Sequence, residues 1–205
     1  MLDSKALQRA LAAKGLYAGN IDGDIGAGSL AALMCVAAGV KSASTLVTDL
    51  GIALAHVRAA YDITTALRLC HMLAQACKET DWFRTLEEYG SDAYLGRYNG
   101  RADLGNTQPG DGPRFKGRGF LMTTGRTNYK AAGLRTGVDL ISHPEHLGEP
   151  DMAVLTAAVF WGDHHINRLA DADDIEGVTK AVNGGLNGLA DRKLALGRLK
   201  TVWGL

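Results

Sequence analysis

The sequence has few cysteines, and their spacing excludes a disulfide framework. Only three occur among 205 residues: Cys35, Cys70 and Cys77. Three cysteines spread along the chain do not form the set of disulfide bonds that stabilises a small secreted fold. Cys70 and Cys77 lie seven positions apart on a predicted helix, so they share a face but are too far apart to bridge. We therefore expect three small buried side chains in a protein that folds in a reducing compartment.

The sequence also has no excess of either charge and no long apolar run. Lys plus Arg number 22 and Asp plus Glu number 22, which gives no general attraction to nucleic acid or to an anionic membrane. The longest apolar run, residues 30–40, is too short for membrane insertion. The start, Met1-Leu2-Asp3, lacks the charged-then-apolar order of a signal peptide. We expect a soluble monomer made in the bacterial cytoplasm, with no nucleic-acid partner.

The composition allows one medium domain with a small additional module. Hydrophobic residues make up 46% of the chain and charged residues 21%, so a sizeable core can form and disorder is not expected. Apolar periodicity predicts a mainly α fold. The predicted helices lie near residues 29–38, 45–61, 64–78, 127–132, 151–169, 175–182 and 189–203.

The first segment predicts a helix, a dense turn and a second helix, and we place its boundary at residues 1–42. It resembles the small peptidoglycan-binding module found beside many wall-degrading enzymes. The matching positions are Leu7-Gln8, Leu11, Gly15 to Tyr17, Gly19, Ile21 to Gly23, Ile25-Gly26, Ser29 and Ala32. A helical hairpin that only packs on the main domain, residues 43–205, is the alternative interpretation.

The segment from Lys78 to Tyr129 contains the residues that indicate an enzymatic function. Glu79 and Glu88 are nine positions apart, and two acids over a polar, aromatic-rich cleft are what cleavage of a sugar–sugar bond requires. Glu79 ends a predicted helix beside Trp82 and Phe83, which predicts partial burial. A general acid that works near neutral pH must hold its proton more tightly than an exposed Glu does.

Several of these residues also allow an ordinary structural interpretation. Glu79 by itself fits an exposed surface position, and Arg118 between two glycines fits either a catalytic or a structural ion pair. Asn183 fits a helix end as well as a sugar contact. His164-His165 do not face each other on a helix, and no Cys or carboxylate cluster has ligand spacing, so we predict no metal and no cofactor.

Motifs in order along residues 45–205 resemble the glycoside hydrolase family 19 chitinase-like domain, and most closely its phage endolysins and bacterial wall lysozymes. These motifs are Cys77 to Glu88, Arg101 to Asn106, Gly110 to Gly112, Phe115 to Gly119, Thr124 to Arg126, Asn128-Tyr129 and Asn183 to Gly185. The resemblance implies a lysozyme-like, bilobal helical domain with a small β and loop region.

The resemblance also implies roles for single residues. Glu79 would be the general acid, Glu88 the base that activates water, and Thr124 a hydroxyl that helps to hold that water. Tyr129 and Asn183 match positions that contact substrate. Arg118 and Arg192, which we group with them at the substrate site, match structural or charge-tuning positions.

Three positions depart from the family pattern. Lys78 stands where a His is usual, and its positive charge would favour the ionised form of Glu79. Asp81-Trp82 replaces a usual Gly-Gly, and Met122 stands where a substrate-binding Gln is common. These departures leave the acid–base pair intact but put substrate preference and rate in question.

The sequence therefore predicts an endolysin that hydrolyses β-1,4 bonds of peptidoglycan glycan strands, inverting if the carboxylates lie about 6.5–9.5 Å apart. We expect it to act in the periplasm after another agent releases it from the cytoplasm. A chitinase and a lytic transglycosylase are alternatives with related chemistry. A non-catalytic wall-binding protein is the alternative from another class.

Overall fold

A computed structural model describes residues 3–205; Met1 and Leu2, which begin the predicted N-terminal segment, lie outside this range. The described chain is mostly helical, as the sequence predicts. Its α-helices are α1 (Ser4–Ala13), α2 (Ala27–Ala38), α3 (Thr45–Val57), α4 (Ala66–Glu79), α5 (Asp92–Leu95), α6 (Asp111–Arg114), α7 (Arg126–Thr136), α8 (Pro150–Asp163), α9 (Asn167–Asp171), α10 (Ile175–Asn183) and α11 (Leu189–Trp203). Short 3₁₀ helices cover Gly96–Tyr98, Ala102–Leu104 and Pro144–Gly148. None of the helices in this range is long and apolar enough to cross a membrane.

The predicted helix over residues 151–169 is interrupted. Pro150 occupies its first turn as expected, but α8 ends at Asp163 and the chain resumes as α9 at Asn167. His165 has a φ of 53°, which a right-handed helix cannot contain. The Trp161 indole N–H donates to Asn167 Oδ1 at 2.8 Å, so the turn is held by the core side chain that precedes it.

The predicted strand signal at Phe115 to Phe120 forms only isolated antiparallel bridges. Arg118 pairs with Glu87 on one side and with Thr123 on the other. The Glu88 amide donates to the Gly117 carbonyl at 2.8 Å, and the Gly119 amide donates to the Leu86 carbonyl at 2.8 Å. The chain around Glu88 is therefore extended, as predicted, and is fixed against the residues that follow α6.

Buried apolar side chains of residues 3–205 form two clusters. The larger one joins α1 to α4 with α8 to α11. The smaller one contains Phe115, Tyr129, Leu140 and Leu147. This division corresponds to the bilobal arrangement that the resemblance implies, with a large helical lobe and a small lobe built on loops and α7.

The N-terminal segment contributes directly to the larger cluster. Residues 29–37 of α2 are all buried, and α2 packs against α3 and α11. Gln8 is fully buried, and its amide nitrogen donates to Asp22 Oδ1 at 2.8 Å while its oxygen accepts from the Gly23 amide at 2.8 Å. This side chain therefore fixes the turn between α1 and α2. Wall binding by the segment remains a prediction.

The end of α4 turns through a left-handed segment that contains no glycine. Asp81, Trp82 and Phe83 have φ values of 48°, 61° and 61°. Thr80 stabilises the turn, because its hydroxyl donates to the Ala76 carbonyl and accepts from the Phe83 amide at 3.1 Å. Left-handed backbone costs a non-glycine residue roughly 1–2 kcal/mol. The segment that departs from the family's Gly-Gly is thus a strained turn.

We predict that Asp81→Gly is more stable than Asp81→Ala by about 1 kcal/mol. Both variants remove the carboxylate that accepts from the Tyr89 hydroxyl, so the comparison isolates the backbone. Chemical denaturation monitored by far-ultraviolet circular dichroism measures the difference. A variant Asp81→Ala that is more stable than Asp81→Gly, which is the order at an unstrained position, would show that position 81 carries no backbone strain.

Candidate active site

A solvent-open cleft of about 640 Å³ lies between the end of α4, the extended chain at Glu88 and the end of α10. Both predicted catalytic carboxylates line it, and so do Thr124 and Asn183. The other lining residues are Lys78, Asp81, Thr85, Glu87, Tyr89, Tyr98, Gly117, Leu121, Met122, Val182 and Asn187. The structure therefore brings together residues that are up to about a hundred positions apart in the chain.

Glu79 is placed by the packing of α4 against α11. Its side chain is 13% exposed, and its Oε1 accepts from Arg192 Nη2 at 2.5 Å. Arg192 is 1% exposed, and its other guanidinium nitrogens donate to Gln75 Oε1 at 2.5 Å and to the Asn187 carbonyl at 3.2 Å. Glu79 Oε2 makes no hydrogen bond to any of residues 3–205, which leaves it available to a ligand in the cleft.

Lys78, the position where the family has His, has a partner of its own. Its ammonium group lies 2.9 Å from Asp191 Oδ2 at the start of α11. The stem of Lys78 also packs on Gly188, where a Cβ atom would lie 2.6 Å from Lys78 Cε. The charge next to Glu79 in sequence is therefore balanced by an acid on the facing helix.

Glu88 is fixed by three donors from the small lobe. Its Oε1 accepts from Arg97 Nη2 at 2.9 Å and from the Tyr98 hydroxyl at 2.9 Å, and its Oε2 accepts from the Gly117 amide at 3.1 Å. The side chain remains 22% exposed to the cleft. Three donors suit an ionised carboxylate, which only accepts hydrogen bonds.

Glu87 has a different set of partners, as expected for adjacent residues of an extended segment. Its carboxylate lies 2.7 Å from Lys116 Nζ and 3.2 Å from Arg118 Nε. Partial burial opposes ionisation of Glu87, but the hydrogen bond from Lys116 and the charges of Arg118 and Lys116 outweigh it and lower its pKa. The predicted pairing of Arg118 with a glutamate is thus made with Glu87, and neither Glu79 nor Glu88 receives it.

Thr124 lies next to Glu88 across Gly117. A Cβ atom built on Gly117 would be 3.2 Å from Thr124 Oγ1 and 3.3 Å from Glu88 Oε2. The hydroxyl donates to the Met122 carbonyl at 3.0 Å, so its lone pairs remain free to accept. Because Gly117 has no side chain, a space remains at the wall of the cleft. This space lies beside the Thr124 hydroxyl and the Glu88 carboxylate.

Three predicted substrate-site residues lie beneath the cleft instead of lining it. Tyr129 is fully buried, its hydroxyl donates to the Lys116 carbonyl and accepts from Arg118, and burial raises its pKa to about 12. Arg118 is 8% exposed and Arg192 is 1% exposed. Protein groups occupy the polar atoms of these three side chains, as expected for the structural or charge-tuning positions that Arg118 and Arg192 match. Substrate contact by these three residues stays a prediction.

Tyr98 and Arg97 were not predicted, because a Tyr and an Arg in a glycine-rich loop carry no signal of their own. Two buried polar residues fix the loop that bears them. Asn106 donates to the Tyr98 carbonyl at 3.1 Å and accepts from the Arg126 amide at 2.8 Å. Asp111, 1% exposed, binds the Arg126 guanidinium and accepts from the Gln108 amide at 3.0 Å.

A cluster with metal-like spacing lies outside the cleft. His143, Glu145 and His146 each place one ligand atom within 4.8 Å of the others, on the mostly exposed chain around the third 3₁₀ helix. The Nδ1 atoms of the two histidines lie 3.2 Å from Glu145 and 2.8 Å from Glu149. These residues do not line the cleft, and none of the carboxylate geometry described above depends on them.

Comparison with known proteins shows what the chain is similar to. No protein-family model matches the chain. A curated protein from Haemophilus influenzae, described as a glycosyl hydrolase family 19 domain-containing protein, is 38% identical over 96 residues. The match covers 46% of this chain and 46% of that protein, so it spans about half of the relative's length.

Solved structures of two chitinases have a similar fold. Chitinase C from Streptomyces griseus superposes with a TM-score of 0.61 at 21% identity, over 74% of this chain and 68% of that one. A bacterial family 19 chitinase superposes with a TM-score of 0.60 at 20% identity, over 77% and 86%. This chain has the fold of the family 19 chitinases. The predicted fold class is confirmed.

We predict that Asp111→Asn destabilises the protein in a pH-dependent way. The hydrogen bond from Arg126 holds the Asp111 pKa below its ordinary value of 3.8, although burial opposes this. A lowered folded-state pKa contributes stability that is present above the unfolded value and lost as pH falls through the folded value. At pH 7 we expect a loss of about 2 kcal/mol, and we expect the difference from wild type to shrink below pH 3.8.

Urea unfolding at pH 7 and at successively lower pH measures this effect. Asp103→Asn is the matched control, because Asp103 also pairs with an Arg but its side chain is 60% exposed. Solvent screens that pair, so the control should change little. A loss for Asp111→Asn that stays constant down to the lowest pH would show that its charge is not the source of the stability.

Proposed function

We propose that this protein hydrolyses β-1,4 glycosidic bonds of peptidoglycan. The observation that carries the proposal is the convergence of Glu79 and Glu88 on one solvent-open cleft. Paired carboxylates facing a glycan groove are the common requirement of glycoside hydrolysis. The sequence match to a family 19 domain and the fold of the family 19 chitinases support the same reaction class.

Glu79 is the proposed general acid. Its free Oε2 carries the proton to the leaving oxygen, and Arg192 stabilises the carboxylate that remains. Glu88 is the proposed general base. Its ionised carboxylate, fixed by Arg97, Tyr98 and the Gly117 amide, takes a proton from water that Thr124 also contacts. Attack by that water gives inversion at the anomeric carbon.

The preference for peptidoglycan rests on the N-terminal segment, whose motifs resemble a wall-binding module. An endolysin that reaches the wall after release from the cytoplasm is the biological role we propose. Chitin is the second candidate substrate, because the two solved structures named above are described as chitinases. Asn183, exposed at the end of α10, is the proposed contact for the acetamido sugars that both polymers share.

We predict that Glu79→Gln and Glu88→Gln each lower turnover by about 10²–10⁴-fold, since each removes one proton-transfer group. Turbidity loss of outer-membrane-permeabilised Gram-negative cells measures wall cleavage, and reducing-end release measures chitin cleavage. Glu176→Gln, on an exposed pair with Lys193, is the control and should keep full activity.

The outcomes separate the candidate functions. Mass spectrometry of digested sacculi should find new reducing ends, whereas anhydro-sugar ends would identify a lytic transglycosylase. Cleavage of chitin oligomers without wall clearing would select a chitinase. If the wild type binds sacculi but cleaves no bond, the enzymatic proposal is wrong.

We predict that Gly117→Ala folds normally but loses at least tenfold in turnover, equivalent to about 1.4 kcal/mol of transition-state stabilisation. The added methyl group enters the space beside Thr124 Oγ1 and Glu88 Oε2, where we place the attacking water. Gly117 does not have a positive φ, so alanine brings no backbone strain. Steady-state kinetics together with thermal unfolding checks this, and normal turnover in the Gly117→Ala variant would place the water elsewhere.

A further inference from the structure

A second cavity, of about 310 Å³, lies beside the cleft. It lies between α7 and α8, and four of its residues, Leu121, Met122, Thr124 and Val182, also line the cleft. We call it the side pocket. Its volume is at the lower end of the range for small-molecule sites. The two spaces adjoin at these four residues, so a substituent on a glycan bound in the cleft would lie next to the side pocket.

The side pocket is mainly apolar. Methyl and aromatic groups of Ala131, Ala157, Val159 and Phe160 form its walls together with the shared residues. Polar side chains that also line it have protein partners, since Thr156 donates to the Met152 carbonyl and Asn128 donates to the Thr124 carbonyl. A sugar ring placed there would therefore leave hydroxyl groups unpaired, which costs free energy for each such group. Small methyl-bearing groups would instead gain by leaving water. The lining therefore favours an apolar substituent over another sugar of the same strand.

Met122, which lines both spaces, has a strained backbone. Met122 has a φ of 52°, and its carbonyl accepts from the Thr124 hydroxyl at 3.0 Å. Strained non-glycine backbone persists where the surrounding structure fixes it, and it concentrates at ligand sites. At the outer rim, Arg135 pairs with Asp163 at 2.6 Å, and both side chains remain about half exposed. The pocket is thus apolar inside and charged where it meets solvent.

We propose that the side pocket binds the lactyl group and the first alanyl residue of a peptidoglycan peptide stem. This inference rests on the proposed function. The lactyl ether is what distinguishes muramic acid from the sugar of chitin, and both it and alanine present a single methyl group. The acidic residue that follows in the stem would then lie at the rim beside Arg135. The pocket would make this cleft select glycan strands that carry stems.

Ala131→Trp tests the proposal, because Ala131 is exposed on α7 and its side chain can grow into the pocket without displacing the core. Lys130→Trp is the matched control, because Lys130 is the preceding residue, is also exposed and does not line the pocket. Each protein is given intact glycan strands from purified sacculi and the same strands after an amidase has removed their peptides. Initial rates of reducing-end release are compared.

We expect wild type and Lys130→Trp to cleave intact strands faster than trimmed ones by about tenfold or more. Ala131→Trp should lose this preference and cleave trimmed strands at the wild-type rate, with an unchanged thermal unfolding midpoint. A preference that survives in Ala131→Trp, an equal loss on both substrates, or a wild type without preference would overturn the inference while leaving hydrolysis intact. A wild type that cleaves neither substrate would overturn the proposed function and this inference with it.

Discussion

The buried guanidinium of Arg192 is the interaction on which the geometry of the cleft depends. A charge that is 1% exposed is tolerable only if it is paired and hydrogen-bonded. Arg192 meets both conditions through Glu79, Gln75 and the Asn187 carbonyl, which come from α4 and from the turn before α11. Glu79 is therefore positioned by the packing of two core helices. Any shift of α11 against α4 would break this set of contacts.

Glu88 is positioned by a separate part of the molecule. Its donors come from the loop at Arg97 and Tyr98 and from the Gly117 amide, and Asn106 and Asp111 fix that loop through Arg126. The two carboxylates thus belong to different supports, one in the large helical cluster and one beside the smaller cluster. A cleft remains between them because neither support fills the space.

The sequence predicted the helices because their signals are local: caps, apolar periodicity and Pro150 mark the helix ends. The roles of Glu79 and Glu88 came from the family resemblance, because spacing alone left Glu79 equally compatible with an ordinary surface position. The partners of those carboxylates carry no local signal. Arg192 is 113 positions from Glu79, and only the packing of α11 brings them together. Burial of Tyr129 was missed for the same reason, since its ring packs edge-on against Phe115, in a cluster that forms only once the small lobe has folded.

Strained backbone at the cleft marks positions that the surrounding packing holds firmly. Asp81, Trp82, Phe83 and Met122 all have positive φ, and Asp81 and Met122 line the cleft. Such conformations persist only where packing over-determines them. Phe83 supplies that packing, because it is 2% exposed and stacks on Phe120 at 5.9 Å. Since Phe120 follows the residues that bridge to Glu87, one aromatic contact links the turn after Glu79 to the chain that carries Glu88.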